Sequence, residues 1–145
     1  MFRAIWKKKR SPLDLSPYER GLYYEDVVCR WLKRRGYRIL NRNFEAKKRT
    51  EIDIVAKEKG TLVFIEVKAR RKETAFDPLK AIDKRKREAL ALAVTDYLKG
   101  LQRNGIDTED LSLRFDAVAL YFDNEGVPTN LEHYVSYLVP NYEPV

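Results

Sequence analysis

Apolar positions along the chain change their spacing several times, and each change marks an element. Tyr24, Val27, Val28, Trp31 and Leu32 recur at the three-to-four-residue spacing of one helical face. Ser16 is a capping residue, Pro17 suits the first helical position, Glu19 stands at the third, and Gly36 follows as a stop. A helix over Pro17 to Arg35 is therefore predicted. Glu25 lies one turn from Val28 and two from Leu32, so a carboxylate stands at the border of a face that must be buried.

The pattern then shifts to that of strands. Tyr37 to Phe44, Glu51 to Lys57 and Thr61 to Ala69 each read as one, with Lys59-Gly60 as the tight connection between the last two. A polar loop, Arg70 to Asp77, leads into a second helical pattern through Leu79, Ile82, Ala89, Leu90, Ala93, Val94, Tyr97 and Leu101, which ends between Gly100 and Gly105. Leu111 to Phe122 alternates as a fourth strand, Asp123 to Gly126 turns, and Asn130 to Tyr134 reads as a fifth. The 145 residues suit one domain over 16–145. Residues 1–15 read as a basic arm holding Lys7, Lys8, Lys9 and Arg10, either laid along phosphates or simply solvated.

Side chains alternate across a strand, so Leu62, Phe64, Glu66 and Lys68 share one face of the third strand and Val63, Ile65 and Val67 the other. If Lys59-Gly60 is a two-residue loop, Glu58 faces Thr61, and counting back along both strands sets Asp53 opposite Glu66. Directly opposed residues have Cβ atoms roughly 5 Å apart, and two carboxylates at about that distance repel by roughly 3 kcal/mol at an effective dielectric of 20. A shared proton, the Lys68 ammonium or a bound cation would offset this. All-oxygen ligands suit Mg²⁺ or Mn²⁺ rather than zinc, and such an ion would polarise a phosphate while Lys68 orients water or steadies developing charge. The alternative is a cross-strand salt-bridge ladder on a solvated face. Against it, Leu62 to Val67 is otherwise apolar, as in a strand covered on both sides, where an unpaired Glu is costly.

Composition narrows the partners. Lys and Arg number 29 against 22 Asp and Glu, a net charge of +7, which favours anionic polymers, DNA ahead of RNA. Arg42, Lys48, Arg49, Arg70, Arg71 and Lys84 are the candidate phosphate contacts, with a solvated basic face as the alternative for most of them. No aromatic interleaving marks a single-strand stacking platform, and Tyr24, Trp31 and Tyr97 are assigned to the core. With one cysteine, Cys29, and one histidine, His133, the chain excludes disulfides and Cys/His zinc clusters; neither residue is assigned a role, and Asp116 is read as structural. No run reaches the ~20 apolar residues of a membrane span, and Met1 to Arg10 lacks the apolar core of a signal peptide. A cytoplasmic protein without a membrane partner is expected.

At these residues the sequence resembles the YraN-like family of the restriction-endonuclease-like PD-(D/E)xK superfamily, over about Gly21 to Tyr134. The resemblance is carried by Gly21 and Glu25, by Gly36-Tyr37-Arg38-Ile39-Leu40 with Arg42-Asn43, by Glu51-Ile52-Asp53-Ile54, by Phe64-Ile65-Glu66-Val67-Lys68-Ala69-Arg70, and by Lys84 leading into Ala89 to Leu98. It implies an α/β fold with an αβββαβ core, a mixed central sheet flanked by helices. It implies a Mg²⁺ or Mn²⁺ ion held by Asp53, Glu66 and the Val67 carbonyl, catalysis by Lys68, and Glu25 completing the acidic cluster. The pattern is also similar to archaeal Holliday-junction resolvases, which implies branched or damaged DNA as substrate and action as a homodimer. A non-catalytic nucleic-acid scaffold in recombination, repair or RNA processing is the competing expectation. Thr50 departs from the family, which usually has Gly there.

Overall fold

The chain was analysed as a computed structural model, which describes residues 11–46, 50–72 and 83–136. Ser16 caps the first helix, α1 (Pro17–Arg34), its hydroxyl accepting the Glu19 N–H at 3.2 Å. Gly36 ends it with φ 92°, in the left-handed region that glycine enters without a Cβ clash. Strands β1 (Arg38–Glu45), β2 (Glu51–Glu58) and β3 (Thr61–Arg71) follow as an antiparallel meander. Helix α2 (Lys84–Arg103) then returns the chain so that β4 (Ser112–Phe122) lies parallel to β3, and β5 (Pro128–Tyr134) closes the far edge antiparallel to β4. The result is a five-stranded mixed sheet in the order β1-β2-β3-β4-β5, flanked by two helices. This is the αβββαβ order of a restriction-endonuclease-like core.

The sheet separates two apolar cores. On one face Tyr24, Val28, Cys29 and Leu32 of α1 pack on Ile54, Ala56, Val63, Ile65, Val118 and Leu120. On the other, Leu90, Ala93, Val94 and Tyr97 of α2 pack on Ile52, Val55, Leu62, Phe64 and Phe115. Each large side chain so buried contributes about 1.5–3 kcal/mol. Leu62 to Glu66 are all buried, as expected for a strand covered on both faces. The element boundaries lie within about two residues of the expected ones. The start expected for the second helix, through Leu79 and Ile82, lies outside the described residues. Its described first turn is capped by Asp83 and carries Lys84, Arg85, Lys86 and Arg87 with no acid, the unfavourable sign for a helix N-terminus.

Ser11 to Leu15, assigned above to the basic arm, belongs to the folded body. Pro12–Asp14 forms a 3₁₀ turn with a capping box from Ser11. Pro12 is buried, Leu13 joins the α1-side core, and the Ser11 hydroxyl donates to the Glu125 carbonyl. Gly126, at φ 81°, would place a Cβ 2.9 Å from the Leu13 side chain, so the β4–β5 turn closes over this segment. A single turn is too short to show a hydrophobic period, which is why spacing missed it. Met1 to Arg10 lies outside the described residues.

In the middle of β4, opposite Ile65, Asp116 is fully buried and accepts four hydrogen bonds: from Arg114 Nε and Nη2 at 2.9 Å each, from His133 Nε2 at 2.8 Å and from the Ser136 N–H at 2.9 Å. Burial alone would raise its pKa; the bonds from His133, Arg114 and Ser136 outweigh burial and hold the carboxyl below the usual range. Arg114 also donates to the Tyr37 hydroxyl at 2.7 Å, tying β4 to the start of β1. Asp116 and His133 are thus structural partners.

Cys29 is 3% exposed and its thiol is pushed up to about 11 by burial. It should resist a thiol-reactive probe at pH 8 in native buffer and react fully in denaturant. Fast labelling of the native protein would contradict this packing. No helix among the described residues is long and apolar enough to cross a membrane.

Candidate functional site

Counting back from the hairpin gives the right register. Glu58 pairs with Thr61 and the ladder continues in step to Ile54 opposite Ile65. There it stops, one pair short of Asp53 and Glu66. The Val67 N–H is taken instead by the Asp53 carboxylate, whose Oδ2 accepts it at 2.8 Å. A side chain has replaced a ladder partner, and the two strands part at this point.

The alternation of β2 breaks at the same residue. Ile54 packs in the α1-side core, whereas Ile52, two positions away, packs in the α2-side core with Val55. Strict period two would have put Ile52 and Ile54 together. On β1, Asn43 lies between the paired residues Arg42 and Phe44 and adopts φ 53°, a left-handed conformation that asparagine tolerates better than most residues. Asp53 is thereby aimed into a cleft under α1 rather than along the regular face that simple counting assumes.

This cleft, about 260 Å³, is lined by Glu25, Asn43, Glu51, Asp53, Val67 and Ala69, with Pro17, Tyr18 and Gly21 of α1 along its rim. Glu25 is 6% exposed, and its Oε1 accepts from Asn43 Nδ2 at 2.9 Å and from Arg42 Nε at 3.2 Å. Arg42 reaches Asp26 as well, at 3.3 Å. Its guanidinium is turned toward the acids of α1. Asn43, whose role spacing did not reveal, holds Glu25 at the mouth of the cleft.

Glu66 follows Leu62 and Phe64 at period two and is 7% exposed. Its Oε1 lies 3.4 Å from Lys68 Nζ, while its Oε2 is buried without a hydrogen-bond partner among the described residues. Lys68 retains partial exposure. Glu66 and Lys68 therefore stand together on β3 as expected.

Electrostatics joins the two strands. Burial first, and the Glu66 charge second, push the Asp53 carboxyl up to about 7, with Glu25 adding to the rise and the Val67 N–H and Lys68 opposing it. Glu25 is also raised, by burial first, with Glu51 adding and Arg42 and Asn43 opposing. Among the described residues no three His, Cys, Asp or Glu side chains form a metal-holding group by themselves. Asp53 and Glu66, whose charges repel, remain as candidate donors. A buried carboxylate oxygen with no partner among the described residues, close enough to a desolvated carboxyl to raise its pKa, is what a hard cation satisfies, so these residues fit Mg²⁺, which keeps waters in its remaining positions.

Of the basic residues, Arg71 and Lys84 are exposed and Arg70 is half-buried, its Nη1 donating to the Ala69 carbonyl at 2.8 Å. Lys48 and Arg49 lie outside the described residues. Tyr18, unremarked in the sequence, is 76% exposed on the cleft rim.

Comparison with known proteins agrees with the site residues in placing the chain. The description "Uncharacterised protein family UPF0102" matches residues 24–120, which include Glu25, Asp53, Glu66 and Lys68. The chain is 36% identical over 108 residues to a UPF0102 protein of Chlorobium phaeobacteroides (strain DSM 266), covering 74% of this chain and 80% of that one. It is 32% identical over 129 residues to a UPF0102 protein of Photobacterium profundum, covering 89% and 97%. Among solved structures, an FdxN element excision controlling factor protein from Anabaena variabilis aligns over 69% of this chain and 90% of its own at 16% identity, with a TM-score of 0.27. With a family match over residues 24–120 and relatives covered to 80% and 97% of their own length, the chain belongs to the UPF0102 family, the YraN family expected from its motifs.

Proposed function

We propose that this protein is a metal-dependent nuclease that hydrolyses phosphodiester bonds in DNA, with branched or damaged DNA as its substrate class, acting in the cytoplasm. The observation that carries this reading is an Asp53 carboxyl pushed up to about 7 by burial and by the charge of Glu66, one of whose oxygens is buried with no hydrogen-bond partner among the described residues, where the β2–β3 ladder ends. A fold gains nothing from two desolvated carboxylates that repel each other; a bound cation removes the cost.

Asp53, Glu66 and the Val67 carbonyl would hold Mg²⁺, which supplies Lewis acidity toward a phosphate oxygen and a bound water of lowered pKa. Asp53 is fixed for this by the Val67 N–H, which orients its carboxylate from behind. Lys68, tethered by Glu66 and partly solvated, orients the attacking water and offsets charge growing on the phosphoryl oxygens. Glu25, buttressed by Arg42 and Asn43, keeps the negative field of the cleft in place. Arg70, Arg71 and Lys84 take flanking phosphates.

The test is to incubate the purified protein with labelled duplex, single-stranded, flap and four-way-junction DNA and matching RNA, in Mg²⁺, Mn²⁺ or EDTA, beside Lys68→Ala. Cleavage that needs the metal and disappears in Lys68→Ala is expected. Salt-sensitive binding with no cleavage under any condition, unchanged in Lys68→Ala, would replace this reading with a non-catalytic nucleic-acid scaffold.

A further inference from the structure

Tyr18 is the most exposed of the large hydrophobic side chains described, at 76%, and it stands on the rim of the cleft that contains Asp53. An aromatic ring held in water loses the apolar burial that such rings usually provide. Three residues on, Gly21 sits inside α1, where glycine is among the least favourable residues. Leaving aside its chain neighbours and the helix's own backbone, no heavy atom of the described residues lies within 4 Å of the place a Cβ would take at Gly21. Packing among the described residues therefore gives no reason for a glycine there. Its absent side chain leaves room next to an uncovered aromatic face, and Pro17, Leu22 and Tyr24 add apolar wall to the same cleft.

We infer that Tyr18 and Gly21 form a stacking subsite for one unpaired nucleotide of DNA, seated beside the phosphate that Asp53 and Glu66 address. The inference rests on the nuclease reading for the position of that phosphate and goes beyond it by specifying the substrate's local structure. In continuous duplex both faces of every base are covered by neighbours, so none is available to Tyr18. At a flap, a junction branch point, a gap or a single strand a base face is free. A cleft of about 260 Å³ accommodates a single base or sugar rather than a helix. Since Glu25, Glu51 and Asp53 also line it, the nucleotide enters with the cation that offsets their charge. Tyr18 is thus a specificity-determining residue that sorts DNA by pairing state and not by base sequence.

The experiment measures equilibrium binding without turnover. Fluorescently labelled flap DNA and its matching uninterrupted duplex are titrated with protein in Ca²⁺, for wild type, Tyr18→Phe, Tyr18→Ala and Gly21→Val. Tyr18→Ala is expected to weaken flap binding about 5- to 150-fold, the range for losing one base–aromatic stack, while duplex binding stays unchanged. Tyr18→Phe keeps the ring and should bind as wild type; Gly21→Val fills the space and should reproduce the loss. A 2-aminopurine at the unpaired position should be quenched by wild type and not by Tyr18→Ala. Equal affinity of Tyr18→Ala and wild type for the flap, or an equal loss on flap and duplex, would overturn the inference. Because no cleavage is read, failure of the nuclease reading appears in the Mg²⁺ assay alone, and failure of the stacking subsite appears here.

Discussion

Replacing Asp116 by Ala is expected to lower the stability of the fold by about 3–5 kcal/mol, toward the lower end of that range, because removing one partner of a buried ion pair strands the other. The carboxylate is fully buried and satisfies Arg114, His133 and the Ser136 N–H together. Without it Arg114 keeps, among the described residues, the Tyr37 hydroxyl and a looser contact with Glu58 at 3.6 Å. His133, edge-on to Trp31 with ring centroids 5.6 Å apart, loses its hydrogen-bond acceptor and the end of β5 loses its anchor. The measurement is the midpoint of denaturant unfolding at pH 7; a shift worth less than about 1 kcal/mol would show that the network contributes little. The lowered carboxyl also fixes the pH direction. Its share of stability is complete above the unfolded-state value near 4 and is lost as pH falls through the lower folded-state value. The wild type and Asp116→Ala should therefore converge in acid.

That network shows what spacing could and could not reveal. Alternation along Leu111 to Phe122 identified a strand, and the strand is there, but nothing in a single sequence pairs Asp116 with a histidine on the next strand. The same division holds at the candidate site. Helix caps, the Lys59-Gly60 connection and period two located α1, β2 and β3 to within two residues, because those signals are local. The hairpin register was legible too, since one turn fixes every pair from Glu58 and Thr61 to Ile54 and Ile65. What failed was the assumption that the period continues through Asp53. A side chain competing for a backbone donor ends a ladder, and nothing in the spacing says that Asp53 takes the Val67 N–H. Spacing was equally silent on Arg42, which the fold sets against Glu25 and Asp26. Tyr18 was invisible because exposure is not a property of spacing. The candidate site sits where the regular pattern breaks, and a pattern reading is blind at its own breaks.

Asp53→Asn is expected to abolish metal-dependent cleavage, lowering the rate by about 10²-fold or more, and to leave a thermodynamic signature that does not depend on finding the substrate. In the unfolded chain the Asp53 carboxyl titrates near 4; in the folded protein it is pushed up to about 7. Between those values the folded state holds a proton that the unfolded state has released. Its contribution to stability therefore falls as pH rises from about 4 to 7 and is flat above. Without metal, Asp53→Asn should overtake the wild type in stability as pH climbs through this window, since a neutral amide beside Glu66 avoids the repulsion. Adding Mg²⁺ should reverse the order above pH 7: the cation binds the ionised pair, displaces the proton, and raises the melting temperature of the wild type while leaving Asp53→Asn unmoved. Melting curves of both proteins from pH 5 to pH 8.5, with Mg²⁺ and with EDTA, separate the cases. An equal Mg²⁺ response in the two proteins would remove Asp53 from the metal site. A wild type whose Mg²⁺ response does not grow with pH would mean that the ion is not held by a carboxyl that must first give up its proton.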